Sequence, residues 1–254
     1  KSMFTGQERF FFFPAIKATF YYVAVSVPLG IVFSFFVAVL LNQKVRGLGL
    51  FRSIFYLPVV IPLASTTLIW IWILQPNFGI ANYLLQSVGL PPSTFLSSDT
   101  TFIPTLILFS IWLCGSTIII FLAGLQSIPS HLYESIEIDG GNSWHKMLYV
   151  TIPLSSSVIF MNTVIGFINA LQTFVQPTLM GGTAGTTTAG ATGGPDLSGF
   201  LYVLYIFQSA FRFSRMGAAS AAAVILIIVS IVLTYLIFKF SKSMVYYEGD
   251  GKNK

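Results

Sequence analysis

The sequence predicts an all-α polytopic membrane protein, a bundle of five membrane-spanning helices. Three observations point there. Hydrophobic residues make up 55% of the 254 and charged residues only 8%, with a mean hydropathy of +0.81, which is too little charge to cover a water-exposed surface. Five apolar stretches each reach the roughly 20 helical residues needed to cross a hydrocarbon core. The 13 basic and 8 acidic residues cluster between those stretches, the flanking pattern of membrane proteins. Disorder, collagen and a disulfide scaffold are excluded, since the single cysteine, Cys114, has no internal partner. A net charge of +5 without a basic stripe interleaved with aromatics argues against nucleic acid as a partner.

The spans fall at about 18–41, 54–74, 102–125, 152–175 and 218–240. Unsatisfied backbone groups are so costly in lipid that each must be helical, even where Pro28, Pro58, Pro62 and Pro104 predict kinks or cavity-lining segments. Alternation of sides places Lys44, Arg46, Arg52, Lys146, Lys239, Lys242, Lys252 and Lys254 together, against Lys1, Arg9, Lys17, Arg212 and Arg215. The richer side is expected to be cytoplasmic. That puts the N-terminus and the 75–101 loop outside, and an external N-terminus with neither signal peptide nor initiating Met predicts a further span before Lys1. Trp70 and Trp72 read as interfacial anchors.

Segment 176–216 is expected to be an external loop. Its stretch GGTAGTTTAGATGG at 181–194 is low-complexity and lacks the lysine of a phosphate-binding loop. Residues 197–213 read as an external half-helix at the membrane interface, with Tyr202 and Tyr205 as anchors.

The fourth span carries Asn162, Gly166, Asn169, Thr173 and Gln176 at i, i+4, i+7, i+11 and i+14, one stripe of a helix. Ile165, Ile168, Leu171 and Val175 lie opposite, and Gln172 sits at the stripe's edge. Uncharged carboxamides and hydroxyls offer both donors and acceptors, as a hydroxyl-rich neutral solute requires. The same groups also bond membrane helices to one another. Trp112 could stack on a sugar face or serve as an interfacial anchor.

Between the third and fourth spans, the segment 126–150 reads as helix, glycine turn, helix. Pro129 and Ser130 start the first helix, Leu132, Ile136 and Ile138 give it an apolar face, and Gly140 with Gly141 ends it where positive φ is needed. Asn142 then caps the second helix. Glu134, Glu137 and Asp139 make the turn acidic on a side where Lys and Arg are usual. A short helix with few charges and an apolar face fits a groove on a partner as a rigid peg. A solvated surface helix is the alternative, and simple solvation is expected for Glu137.

The order of residues adds a resemblance. Glu134, Ser135, Ile136, Asp139, Gly140 and Gly141, followed by Ile152, Pro153 and Leu154, resemble the EAA loop of permease subunits of binding-protein-dependent ABC importers. Gly47, Phe51, Arg52 and Pro58 at the second span are similar to the sugar-importer branch, the maltose and glycerol-phosphate-like one. So are the run from Ala123 to Pro129, Gly193 to Pro195 with Tyr205, Ala210 and Phe211, and the run from Gly217 to Ala221. The likeness spans residues 12–240. The family's two alanines are Ser135 and Ile136 here, and its later aromatic and proline are Met147 and Ser157.

That resemblance implies the type I ABC importer permease fold in a single transmembrane domain over 1–254, with one more helix before Lys1. It implies a coupling helix, carrying Glu134, Ile136, Ile138, Asp139, Gly140 and Gly141, that docks in a cleft of a cytoplasmic ATPase. It implies a second permease subunit, two ATPase subunits and an extracellular solute-binding protein as partners, in a bacterial cytoplasmic membrane, with the coupling loop and C-terminus cytoplasmic. ATP and magnesium would sit on the ATPase, leaving this chain with no cofactor, metal or catalytic residue of its own. Substrate contacts would match Gly166, Ala170 and Thr173 on the fourth span and Leu113, Cys114 and Thr117 on the third. Because Ala170 cannot hydrogen-bond, the expected contacts shift to Asn169 and Gln172, with Asn162 on the same stripe.

Two other classes fit less well. One is a channel or an ion-coupled secondary carrier; proton or sodium coupling usually needs an intramembrane carboxylate, and the five spans contain none. A membrane enzyme needs a reactive constellation, and the only histidines, His131 and His145, lack metalloprotease spacing.

Overall fold

The computed structural model describes residues 7–43, 47–183 and 193–241. Lys1, Lys44, Arg46, Lys242, Lys252 and Lys254, and most of the Gly/Thr-rich stretch, lie outside the described residues. Among those described, thirteen α-helices follow in order: α1 Gln7–Leu41, α2 Leu48–Val60, α3 Leu63–Ile73, α4 Ile80–Ser87, α5 Asp99–Trp112, α6 Gly115–Gln126, α7 Ser130–Ile138, α8 Ser143–Lys146, α9 Ile152–Leu154, α10 Ser156–Leu171, α11 Val175–Thr183, α12 Tyr202–Phe207 and α13 Met216–Ser241.

Five traverses emerge, but three of them are broken. Only Phe11–Leu41 and Met216–Lys239 are single helices long and apolar enough to cross a membrane. The α2–α3 pair bends by 103°, the α5–α6 pair by 44°, and the segment Ser143–Leu154 meets α10 at 62°. The first break is a proline effect: Pro62 disfavours helical geometry at Ile61, whose ψ is 137°. Pro28 and Pro104, where kinks are expected, sit inside α1 and α5 without ending them. The second break instead precedes Gly115, where a Cβ would strike the Phe55 carbonyl oxygen and lie 2.9 Å from Val59 Cγ2, so α6 presses its backbone onto α2.

Helix α1 is the central staff. Phe12 and Ala15 pack with Phe200, Tyr202, Leu204, Tyr205 and Ala222 near its start. Tyr22, Val23 and Val27 pack in its middle with Phe102, Leu106, Phe109 and Leu171. Phe35, Ala38 and Leu41 meet Phe121, Leu122 and Leu125 near its end. Small residues permit these approaches, as is usual where lipid provides no hydrophobic drive between helices. A Cβ on Gly166 would lie 3.2 Å from Val27 Cγ1, and one on Gly30 would lie 3.3 Å from Cys114 Sγ. Helix α13, by contrast, leaves Ile227, Ile231 and Tyr235 largely exposed, as a lipid-facing helix can.

The tyrosines expected at the interface are core residues. Tyr202 and Tyr205 are buried; the Tyr202 hydroxyl donates to the Ala222 carbonyl at 3.2 Å and its backbone N–H donates to Thr19 Oγ1 at 2.8 Å. A buried phenol needs such a partner, and α1 and α13 provide it, so this half-helix is tied into the bundle. Trp70 also departs from the anchor reading: its ring lies 5.4 Å from both Phe109 and Trp112, whereas Trp72 remains exposed. The segment expected to open the external loop at 176 continues as α11, which packs against α3.

Candidate solute pathway and coupling loop

A cavity of about 240 Å³ opens where α1, the α5–α6 break and α10 converge. From the sequence-predicted set it gathers Leu113, Cys114, Thr117, Asn162, Gly166, Asn169, Thr173 and Gln176, together with Ala170. Leu113 caps the end of α5 and Cys114 the start of α6, so the break itself turns these residues toward the space. Asn162 is buried and donates from Nδ2 to the Val158 carbonyl at 3.0 Å, using one donor on its own helix. Thr173 Oγ1 donates to the Asn169 carbonyl at 3.2 Å. Gln172 lies outside the lining: α10 ends at Leu171, and the Gln172 backbone caps it by donating to the Ile168 and Asn169 carbonyls, leaving the side chain exposed.

Seven lining residues escaped the sequence reading: Tyr22, Ser26, Val27, Gly30 and Ile31 on α1, Ser110 on α5 and Ser116 on α6. The signal was present, because Tyr22, Ser26, Gly30 and Ser34 repeat every four positions in the largely apolar stretch 20–41. The Tyr22 hydroxyl sits among the side chains of Thr173, Ser110 and Ser26. Among the described residues, none that lines the cavity is charged. Such a surface pairs hydroxyls with hydroxyls and carboxamides, while a solute's net charge would enter uncompensated.

The 126–150 loop is ordered by its own chemistry. Pro129 caps the start of α7, and Gly140 reaches φ +79° just past its end, a conformation that favours glycine. The Gly141 N–H donates to the Ile136 carbonyl at 2.8 Å, and a Cβ on Gly141 would collide with Ile136 Cγ2. Asn142 Oδ1 then accepts from the N–H groups of Trp144 and His145 at 3.0 and 3.1 Å, the cap of α8. Tyr133 and Thr151 hydroxyls lie 3.3 Å apart and tie α7 to the chain entering the fourth traverse. Glu137 is not simply solvated: it forms an ion pair with Lys146 that closes the turn. No residue of α7 is buried. Ile136 packs partly on its own turn, Glu134 and Asp139 are exposed, and Ile138 is 86% exposed, beside Trp144 at 68% and Tyr149 at 71%.

A helical bundle with broken traverses, a polar cavity at mid-bundle and a rigid, apolar-tipped loop is the build of a transmembrane transport permease. The chain matches, over residues 10–245, the family described as "Binding-protein-dependent transport system inner membrane component", and it belongs to that family, whose members are multi-pass proteins of the inner membrane. It is 37% identical over 249 residues to the "Probable ABC transporter permease protein YesP" of Bacillus subtilis (strain 168), covering 98% of this chain and 77% of that protein. It is 33% identical over 235 residues to the "Lactose transport system permease protein LacF" of Rhizobium radiobacter, covering 89% and 75%. Its fold matches a chain of a bacterial ABC transporter involved in the import of the acidic polysaccharide alginate, with a TM-score of 0.82 at 23% identity, covering 96% of this chain and 82% of that one. The protein is therefore a transmembrane permease subunit of an ABC importer.

Proposed function

We propose that this subunit forms half of the translocation path for a neutral carbohydrate and takes its energy from ATP hydrolysed by a partner. The observation that carries the reading is the uncharged cavity lined by Tyr22, Ser26, Ser110, Thr117, Asn162, Asn169 and Thr173. Small-molecule sites usually enclose about 300–1,000 Å³, so a cavity of about 240 Å³ suits one sugar ring, with the rest of an oligosaccharide held by the second permease. The lactose permease relative supports a carbohydrate. The alginate transporter carries an acidic polysaccharide, whereas the absence of a basic lining residue here favours a neutral one.

The second permease, two ATPase subunits and an extracellular solute-binding protein complete the assembly in this reading. ATP and magnesium bind the ATPases, and this chain holds no cofactor. Glu134, Ile136, Ile138, Asp139, Gly140 and Gly141 present the peg to the ATPase cleft, with the coupling loop and C-terminus on the cytoplasmic side. The exposed Ile138, Trp144 and Tyr149 provide apolar area for that contact. ATP-driven closure of the ATPases then moves α7, and the 62° joint before α10 transmits the tilt to the cavity.

The test is to purify the full-length chain from native membranes in mild detergent, identify stoichiometric companions by mass spectrometry, and reconstitute the assembly for uptake of labelled sugars. Co-purification of an ATPase and a second permease, with ATP-dependent uptake of a neutral oligosaccharide, is expected. A folded chain that emerges alone, or uptake that prefers an acidic sugar, rejects the reading.

A further inference from the structure

A second recess, largely apolar with a few polar side chains, lies between α2 and α6, away from the solute cavity. It measures about 350 Å³ and is lined by Arg52, Ser53 and Tyr56 from α2 and Ile119, Leu122, Ala123 and Gln126 from α6. The two helices run antiparallel and form a wedge. At its apex Gly115 brings the backbones together against Phe55 and Val59, and the cleft widens toward Arg52 and Gln126.

Arg52 is the only charged residue from Gly47 to Ser98. Among the described residues it has no ion pair, since the one salt bridge there joins Lys146 and Glu137. No acidic residue among those described lines the recess, and Arg52 is exposed, so its guanidinium is open to an outside anion. Tyr56 and Gln126 line the same space, whereas Ser53 Oγ is used on the Gly49 carbonyl at 3.0 Å. Around this polar end α2 is apolar and open: Leu50, Ile54, Leu57 and Val60 are each more than half exposed. A guanidinium with neutral donors at one end of a membrane helix, and bare aliphatic surface along the rest, matches a phosphate head with hydrocarbon chains attached.

We propose that the α2–α6 wedge binds an anionic phospholipid, its phosphate on Arg52 with Tyr56 and Gln126 beside it and its acyl chains along the exposed face of α2. This inference needs only that α2 and α6 lie in a membrane, so its failure leaves the sugar-import reading untouched.

The full-length protein, purified with its partner subunits and stripped of native lipid in mild detergent, is titrated with phosphatidylglycerol or with phosphatidylcholine of the same chains. Bound lipid is counted by native mass spectrometry. The expected result is one phosphatidylglycerol retained about fivefold or more tightly than phosphatidylcholine, with Arg52→Gln erasing the preference and Arg52→Lys keeping most of it. Arg212→Gln, in a segment that packs against α12 and α13, leaves the preference unchanged. Equal retention of the two lipids by the wild-type protein, a comparison that needs no variant, overturns the proposal. So does full displacement by inorganic phosphate, which would make the ligand a free anion. Loss of a partner subunit from Arg52→Gln with lipid retention intact overturns it too, because the counter-ion would then be a protein carboxylate.

Discussion

Tyr22→Phe isolates the cavity's chemistry from its packing. The ring is buried among Val23, Val27, Phe102 and Phe109 and stays in place without the oxygen. What is lost is one hydroxyl that faces Thr173, Ser110 and Ser26. If a sugar hydroxyl bonds there, the variant strips that hydroxyl of its partner in a water-poor space, which costs about 1–3 kcal/mol. At 1.4 kcal/mol per tenfold, the dissociation constant should rise by roughly 5- to 150-fold. The assay is equilibrium binding of labelled sugar, the one recovered with the solute-binding protein, to the purified assembly, with thermal unfolding in detergent as the control for packing. Gln172→Ala is the comparison variant: its side chain lies outside the lining, and its affinity should change by less than about twofold. A Tyr22→Phe protein that binds as tightly as wild type, or a Gln172→Ala protein that loses more, would refute the placement of the sugar in this cavity.

Two further outcomes follow from the loops. Gly140→Pro replaces a residue at φ +79° by one locked near −65°, so the turn after α7 cannot close; membrane insertion should persist while the ATPase no longer co-purifies, and equal recovery from mutant and wild-type membranes would count against the coupling role. Asn82→Ala removes a buried carboxamide that donates to the Pro76 and Ser93 carbonyls at 3.0 and 2.9 Å and accepts from the Ser93 N–H at 2.9 Å. At a net 0.5–1.5 kcal/mol per bond, roughly 1.5–4.5 kcal/mol of loop order is lost. Limited proteolysis should then cut between residues 76 and 93 far faster than in wild type, and an unchanged cleavage rate would show the clamp to be dispensable.

Composition and period carried much of this protein into view. Apolar length alone marks where the chain can traverse a membrane, because lipid leaves the backbone no alternative to helix. The i, i+4, i+7 stripe from Asn162 to Asn169 places polar groups on one face of α10 for the same reason, since a helix converts spacing into direction. The loop turn was equally local: Pro129 and Gly140 act through their own backbone geometry and Asn142 through its side-chain cap, all within a few residues.

What the tertiary structure decided is whatever depends on contacts between distant segments. Tyr202 and Tyr205 have the composition of interfacial anchors, yet Thr19 and Ala222, far away in sequence, draw them into the core. Glu137 reads as a solvated charge until the turn brings Lys146 to it. The cavity is joint property: Tyr22 faces it only because Gly166 and Gly30 let α10 and Cys114 close on α1, and Gln172 is excluded only because the helix stops one residue earlier. A single-helix pattern records which face is polar, but which polar faces meet is fixed by where backbones can approach, and that depends on every helix at once.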